Sequence, residues 1–324
     1  MVPTLKLASG YEMPIVGFGL WKVGAETCAD TVYNAIKAGY RLFDGAYDYA
    51  NEKEAGEGIR RAIDEGLVKR EDLFVTSKIW NNYHAAEHAE KMAKSQLETW
   101  NIGYLDLFLI HFPVSLEFVD PKDSKFPGWW LPDGSLAATA KVPISETWKV
   151  LESLVDAKLV RSIGVSNFQS QLLFNTINEA RHPVSVLQIE HHPYLTQPGL
   201  VLGAQENGVQ VTAYSSFGAQ SFLELPEAFR GRAKGLQMLL EHETTKGIAG
   251  KLGKTPAQVL LRWSTQRGIA VIPKSNNPER LAQNLAVTDF DLAEDDIKAL
   301  SSLDKGLRFN DPGYYLDKPL RIFG

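Results

Sequence analysis

Residues 41–52 read RLFDGAYDYANE, an apolar run of the kind that fills a buried strand, followed at once by Asp44, Tyr47, Asp48 and Tyr49. Two further ionisable residues end apolar runs in the same way: Lys78 follows LFVTS (73–77), and His111 follows LDLFLI (105–110). Each residue alone could be a solvated loop charge or a satisfied core group. Together at the ends of neighbouring strands they suit proton transfer to an oxygen. A phenol with a pKa of ~10 is a poor acid near neutrality, and a nearby ammonium lowers it by favouring the phenolate. Lys78 is placed to supply that charge to Tyr49, Asp44 to hold the ammonium through a charge-assisted hydrogen bond, and His111 to donate to a carbonyl oxygen and orient it.

A second cluster lies in VIPKSNNPERLAQN (271–284). Lys274, Ser275 and Asn276 precede a helix start marked by Asn277 and Pro278, and Arg280, Gln283 and Asn284 fall in its first turns. Two cations, a hydroxyl and free helix N-terminal amides read as an anion site of phosphate size.

Other chemistries lack their residues. There is no HExxH, GxSxG or GxxxxGK[ST], and GFG (17–19) is half of a GxGxxG that more readily serves close packing or a turn. Glu190, His191 and His192 invite a metal, but adjacent histidines on a strand point apart, so no metal site is expected. Cys28, the single cysteine, sits in an expected surface helix with no histidine near it in sequence, which argues against a thiol nucleophile and excludes an internal disulfide. With 39 acidic against 34 basic residues, a net charge of -5 and no basic tract, a nucleic-acid partner is not expected. No signal-peptide pattern is present and no run reaches the ~18 apolar residues of a membrane span, so a cytoplasmic protein is expected.

These groups must be carried by a scaffold that brings strand ends together. Candidate strands fall at 15–19, 41–45, 73–77, 105–110, 162–166, 186–190, 209–215 and 269–273, most of them too continuously apolar for a sheet wetted on one face. Helical periodicity appears between them, clearest in ISETWKVLESLVDA (144–157), where Ile144, Trp148, Leu151 and Val155 form a stripe, and also near 25–38, 51–64, 87–100 and 255–266. Thr255 and Pro256 form a cap-and-first-turn pair for the last of these. Eight strand-then-helix units with no linker predict an α/β fold, a single (β/α)8 TIM barrel over 1–324, whose active face lies at the C-terminal ends of its strands. Residues 4–14 predict an N-terminal hairpin turning at Ser9-Gly10 and plugging the barrel bottom, while 112–141, 216–235 and the tail 305–324 lack periodicity and read as pocket walls or lids.

With these motifs in place, the chain resembles the aldo-keto reductase family over nearly its whole length. The resemblance rests on GYRLFDGAYDYANEKEAGEGIR (39–60), LDLFLIHFP (105–113), LVRSIGVSNF (159–168) and VIPKSNNPERLAQN (271–284). Gly45, QIEHHPYL (188–195), AYSSFG (213–218) and GLRFNDP (306–312) are similar to the fungal D-xylose reductases within it. Two places depart from that subgroup: Asn277 stands where leucine is common, which bears on the cofactor site, and 116–142 has no position-by-position match, which bears on the substrate wall.

The resemblance implies catalytic roles for Asp44, Tyr49, Lys78 and His111. It implies an extended nicotinamide cofactor whose amide meets Ser166, Asn167 and Gln188, whose ring stacks on Tyr214, and whose adenosine end meets Lys274, Ser275, Asn276, Arg280, Gln283 and Asn284, with Ser215, Phe217 and Glu224 along the path between. It implies a substrate pocket of Trp21, Asp48, Trp80, His111, Phe112, Phe222 and Asn310, a homodimer, and reduction of an aldose to its alditol, D-xylose to xylitol foremost. NADPH is the expected cofactor because Lys274 and Arg280 can meet a 2′-phosphate; NADH stays usable because Asn276 and Glu224 can bond free ribose hydroxyls. A broad aldose, glycerol or small-carbonyl reductase is the alternative within the family, and a non-catalytic NADPH-binding regulator the alternative outside it.

Overall fold

Burial along the strands is unbroken, as the apolar runs require of a sheet covered on both faces. The computed structural model describes residues 2–323. A hairpin of β1 (Thr4–Lys6) and β2 (Glu12–Pro14) precedes eight parallel strands: β3 (Phe18–Gly19), β4 (Leu42–Asp44), β5 (Phe74–Ile79), β6 (Leu105–Ile110), β7 (Val160–Ser166), β8 (Val184–Glu190), β9 (Gln210–Tyr214) and β10 (Ile269–Val271). These pair in sequence order, and the two edges meet: Gly17 N–H donates to the Val271 carbonyl at 2.8 Å and Val271 N–H to that of Ile15 at 2.9 Å. The sheet is thereby a closed barrel, as the eight-unit reading predicts.

The half-motif GFG belongs to this seam. A Cβ on Gly19 would lie 2.6 Å from the Ile272 carbonyl oxygen, and one on Gly17 would lie 2.4 Å from Leu42 Cδ2. Close approach of backbone to neighbour, not phosphate binding, explains both glycines.

The helices are α1 (Ala25–Ala38), α2 (Glu52–Asp64), α3 (Ala86–Trp100), α4 (Ile144–Asp156), α5 (Ser170–Glu179), α6 (Pro198–Glu206), α7 (Glu227–Arg230), α8 (Glu243–Leu252), α9 (Pro256–Thr265), α10 (Pro278–Leu285), α11 (Glu294–Ser301) and α12 (Pro312–Tyr315). On α4 the stripe buries Trp148 and Leu151 fully, with Ile144 and Val155 at its margin. Thr255 caps α9, accepting from Gln258 N–H in a reciprocal capping box with Pro256 at the first position. Sequence periodicity did not reveal α5, α6, α8 or α11, for a physical reason: α5 buries only Leu173 and Thr176, α6 opens on Pro198-Gly199, and α8 carries two interior glycines. None presents a broad apolar stripe.

The hairpin lies across the N-terminal ends of the strands. Ser9 and Ser162 share a hydroxyl hydrogen bond of 2.7 Å, and Gln210 Nε2 donates to the Lys6 carbonyl at 3.1 Å. Leu7 and Met13 are buried there. At the opposite end, the loop after β6 folds back on itself through the Leu116–Thr139 and Trp130–Leu136 bridges, the segment after β9 winds through short helical turns, and the tail ends in α12.

Candidate active site

Asp44 is the last residue of β4, Lys78 the penultimate residue of β5, and His111 the first after β6; Tyr49 closes a 3-10 turn (Tyr47–Tyr49) that follows β4. Parallel register sets these strand ends side by side. Lys78 Nζ, fully buried, donates to Asp44 Oδ1 at 2.6 Å, to the Gly45 carbonyl at 2.8 Å and to Tyr49 Oη at 3.2 Å. A buried ammonium with three oxygen partners is fully satisfied. The second carboxylate oxygen of Asp44 accepts from Gln188 Nε2 at 2.6 Å, so β8 also fixes this chain of contacts. The Tyr49 and His111 rings stand edge to face at 5.8 Å.

One expectation is corrected. The sequence places Lys78 to lower the Tyr49 phenol, but burial, with the negative charges of Asp44 and Asp48 and the neighbouring Tyr214 adding to it, holds that phenol well above the ordinary tyrosine range. The ammonium is spent on Asp44, so at Tyr49 it acts as one end of a dipole. The phenol keeps its proton. Its lysine hydrogen bond is an N–H aimed at the oxygen that becomes negative once the proton leaves.

Around Tyr49 the wall is aromatic. Trp80 lies 5.2 Å from His111 and 5.4 Å from Trp129, and Phe112 packs 5.2 Å from Trp129. Trp129 belongs to the loop 112–141, which therefore forms a wall of this pocket. On the other side Trp21 meets Phe222 at 5.9 Å, and Phe222 meets Phe309 at 5.6 Å. Polar atoms are set into this lining. Asp48 Oδ1 and His111 Nδ1 sit 3.1 Å apart without hydrogen-bond alignment, and these two atoms and Trp80 Nε1 are buried with no hydrogen-bond partner among the described residues. Asn310 Nδ2 donates to Tyr214 Oη at 3.2 Å, and Tyr315 Oη donates to Asn310 Oδ1 at 3.2 Å. Every residue expected to line the substrate pocket is thus at the C-terminal end of the barrel or on the loops beside it.

The residues expected at the cofactor amide lie between His111 and β8. Ser166 Oγ donates to the Gln188 carbonyl at 2.9 Å, and Asn167, in the left-handed region at φ 63, donates from Nδ2 to the His111 carbonyl at 2.9 Å. Tyr214 Oη donates to Asn167 Oδ1 at 2.5 Å. Ser215 (φ 51) and Phe217 open the segment after β9.

The phosphate-sized cluster is present with one change. Lys274, Asn276 and Arg280 are exposed together at the start of α10, and among the described residues neither cation enters a salt bridge. The expected free amides are mostly absent: Asn277 Oδ1 accepts from Arg280 N–H at 3.0 Å, Pro278 has no N–H, and Asn277 N–H donates to Ser275 Oγ at 3.2 Å. Asn277 is the helix cap, so any anion here is held by side chains. Gln283 and Asn284 follow on α10, Asn284 buried beside Tyr40.

Cys28 is fully buried on the inner side of α1, where burial and then Glu54 push its thiol up to about 12. His191 and His192 do point apart: His191 stacks on Trp263 and meets Arg267, whereas His192 faces Glu190. Among the described residues no cluster of three or more His, Cys, Asp or Glu could hold a metal ion, and no helix is long and apolar enough to cross a membrane.

Several organising residues escaped the sequence reading. Lys22 Nζ donates to the Ser221 carbonyl at 2.7 Å and lies 3.4 Å from Glu224, tying the loop after β3 to the segment after β9. Asn51 Nδ2 donates to the carbonyls of Leu20 (3.0 Å) and Val23 (2.9 Å), fixing the turn that carries Trp21. Both contacts bridge distant parts of the chain, and no local pattern announces them.

A model of the aldo/keto reductase family matches residues 15–305. A probable NAD(P)H-dependent D-xylose reductase of Emericella nidulans is 60% identical over 321 residues, covering 99% of both chains. The NAD(P)H-dependent D-xylose reductase I,II of Candida tropicalis is 59% identical over 321 residues, covering 99% of this chain and 98% of its own. Among solved structures, an aldo-keto reductase of Bombyx mori in complex with NADP superposes with a TM-score of 0.85 at 33% identity, covering 98% of each chain. A barrel with these strand-end residues, matched from β3 through α11, belongs to the aldo/keto reductase family.

Proposed function

We propose that this chain reduces the carbonyl of an aldose to the alditol, D-xylose to xylitol foremost, using NADPH and accepting NADH. One observation carries the reading: a tyrosine that holds its proton, hydrogen-bonded to a buried lysine, faces a pocket whose aromatic wall contains unpartnered polar atoms. A site for apolar carbonyls alone would leave Asp48, Trp80 Nε1 and Asn310 without substrate partners. The names of the relatives support the same substrate and cofactors.

The cofactor, when bound, supplies a hydride to the carbonyl carbon. The fit lies in this chain's own residues: two exposed, unpaired cations beside Ser275 and Asn276 suit a phosphorylated adenosine, and Ser166, Asn167, Gln188 and Tyr214 suit the amide end. Tyr49 then gives its proton to the carbonyl oxygen, and the Lys78 ammonium, held by Asp44, stabilises the phenolate left behind. His111 orients the carbonyl by donating to its oxygen. Lys22, bonded to the Ser221 carbonyl and 3.4 Å from Glu224, ties the loop after β3 to the segment after β9 that carries Ser215 and Phe217. The roles assigned here to single residues rest on geometry and family resemblance together. The reading takes residues 1–324 as one barrel unit acting on a small molecule in the cytoplasm, with no nucleic-acid partner and as a homodimer.

The test is kcat/KM across xylose, arabinose, glyceraldehyde and an aromatic aldehyde with each cofactor. Xylose among the better substrates supports the proposal. Xylose orders of magnitude below all the others removes it in favour of a broad small-carbonyl reductase, and NADPH binding without turnover of any aldehyde favours a non-catalytic regulator.

A further inference from the structure

Glu190 ends β8 and is completely buried, yet the chemistry assigned above does not use it. Its carboxylate gathers three N–H groups. Oε1 accepts from Phe309 N–H at 2.8 Å and lies 2.9 Å from His192 Nε2, and Oε2 accepts from Asn310 N–H at 2.8 Å. An ionised carboxylate can only accept, so His192 carries its proton on Nε2. Burial alone would raise this carboxyl, but the His192 hydrogen bond and charge, Arg308 and the Phe309 N–H outweigh it and hold the group below its ordinary value. A second tie runs alongside: Gln197 Nε2 donates to the Glu190 carbonyl at 2.7 Å, and Gln197 Oε1 accepts from Arg308 Nη2 at 2.6 Å.

Three successive tail residues, 308–310, are therefore fastened to the end of one barrel strand. The third is Asn310, whose side chain bridges Tyr214 and Tyr315 at the pocket.

We infer that Glu190 is a positioning residue for sugar recognition: its carboxylate, by accepting the backbone N–H groups of Phe309 and Asn310, sets the Asn310 side chain against the substrate's hydroxyl groups. This rests on the aldose reading above. Because the carboxylate bonds the backbone of Phe309 and Asn310 and, among the described residues, contacts none of Asp44, Tyr49, Lys78 or His111, it governs the binding of hydroxyl-bearing substrates and leaves proton transfer alone.

Glu190→Gln tests this with little change of shape. Its amide keeps most bonds by leaving the carbonyl oxygen on Phe309 and His192, which turns the NH2 against the Asn310 N–H, donor against donor. Asn310 is the residue released. KM for xylose should rise about tenfold, the equivalent of one strong hydrogen bond, with kcat within about twofold. The kcat/KM for an aromatic aldehyde without hydroxyls, and the NADPH dissociation constant, should hold within about twofold. In an Asn310→Ala background the same substitution should add nothing further to KM for xylose.

Gln197→Ala, a milder cut in the parallel tie, should raise KM for xylose by about threefold with the same selectivity, and it reads the proposal even if Glu190→Gln folds poorly. Equal KM rises for xylose and the aromatic aldehyde, or full multiplication of the Glu190 and Asn310 effects, would overturn it. Failure of the unmodified chain to turn over xylose counts against the xylose reading alone, because the same cycle run with glyceraldehyde still reports on Glu190.

Discussion

The two cationic places of this molecule are built in opposite ways. Lys78 lies in the barrel with no exposure and three oxygen partners, whereas Lys274 and Arg280 stand exposed at the start of α10 with no salt bridge among the described residues. The buried cation is already neutralised and fixed by its three oxygen partners; little of its charge remains to attract a ligand. The exposed pair enters no salt bridge among the described residues and is free to meet a phosphate, but in high dielectric its attraction is modest and screened by salt. Chemistry is thus assigned where charge is satisfied, and cofactor choice where it is not.

The largest effects should come from breaking the buried side of this contrast. Tyr49→Phe removes the proton donor and no cofactor contact, so reduction should fall by about 10³-fold while NADPH affinity and melting temperature stay near those of the parent chain. Steady-state rates and a fluorescence titration check this; near-normal turnover would overturn the assignment of the acid. Lys78→Met should lose comparable activity and, unlike Tyr49→Phe, also stability. It leaves the Asp44 carboxylate buried with Gln188 as its one remaining side-chain donor among the described residues, a situation that costs about 3–5 kcal/mol. Thermal melts of the two variants side by side separate the roles.

That buried constellation is also the part most legible in the sequence. Asp44, Lys78 and His111 stand out because each interrupts an apolar run at its end, and the closed barrel turns that one-dimensional regularity into proximity. What could not be read locally is who holds whom. The Gln188 to Asp44 contact joins residues 144 apart, and the Glu190 to Asn310 contact joins residues 120 apart. Read locally, Glu190 and His192 suggest a metal ligand set, whereas residues two apart near a strand end also share a side and make a carboxylate with its own donor. Gly45 shows the same limit: a Cβ there would sit 2.7 Å from Trp100 Cζ2, a reason that only the packed α3 supplies. The fall of the Tyr49 expectation is of this kind as well, since a charge partner is visible in sequence but its neutralisation is not.

The exposed side should respond less, and selectively. Lys274→Met or Arg280→Met should each weaken NADPH by about tenfold, the value of one charge-assisted hydrogen bond, and leave NADH within about twofold. The swing in the ratio of the two dissociation constants should shrink at high salt, because the cations are exposed. A parent chain that prefers NADH, or variants that weaken both cofactors equally, would show that these residues hold the shared adenosine instead of the phosphate.

The smallest effect comes from a layer behind Lys78. Glu52 on α2 is buried, and Ser77 Oγ, Gln96 Nε2 (3.0 Å) and Trp100 Nε1 (2.8 Å) all converge on its Oε1. Burial pushes its carboxyl up to about 7 although those three donors pull the other way. Gln96 also donates to the Lys78 carbonyl at 3.2 Å, so this group backs the strand that carries Lys78. A carboxyl whose folded pKa lies above its unfolded one binds its proton more tightly when folded, so its share of stability is full below an unfolded value of about 4.5 and is lost as pH climbs through about 7. The melting temperature should therefore drop by a few degrees between about pH 5 and about pH 8. Glu52→Gln keeps an oxygen for the three donors and places an uncharged NH2 where the proton sits, which mimics the protonated form at every pH. Its melting temperature should match the parent near pH 5, exceed it near pH 8, and lose most of the slope between. A slope that survives the substitution would assign the pH dependence to other groups and leave Glu52 as an ordinary hydrogen-bonding carboxylate behind the strand.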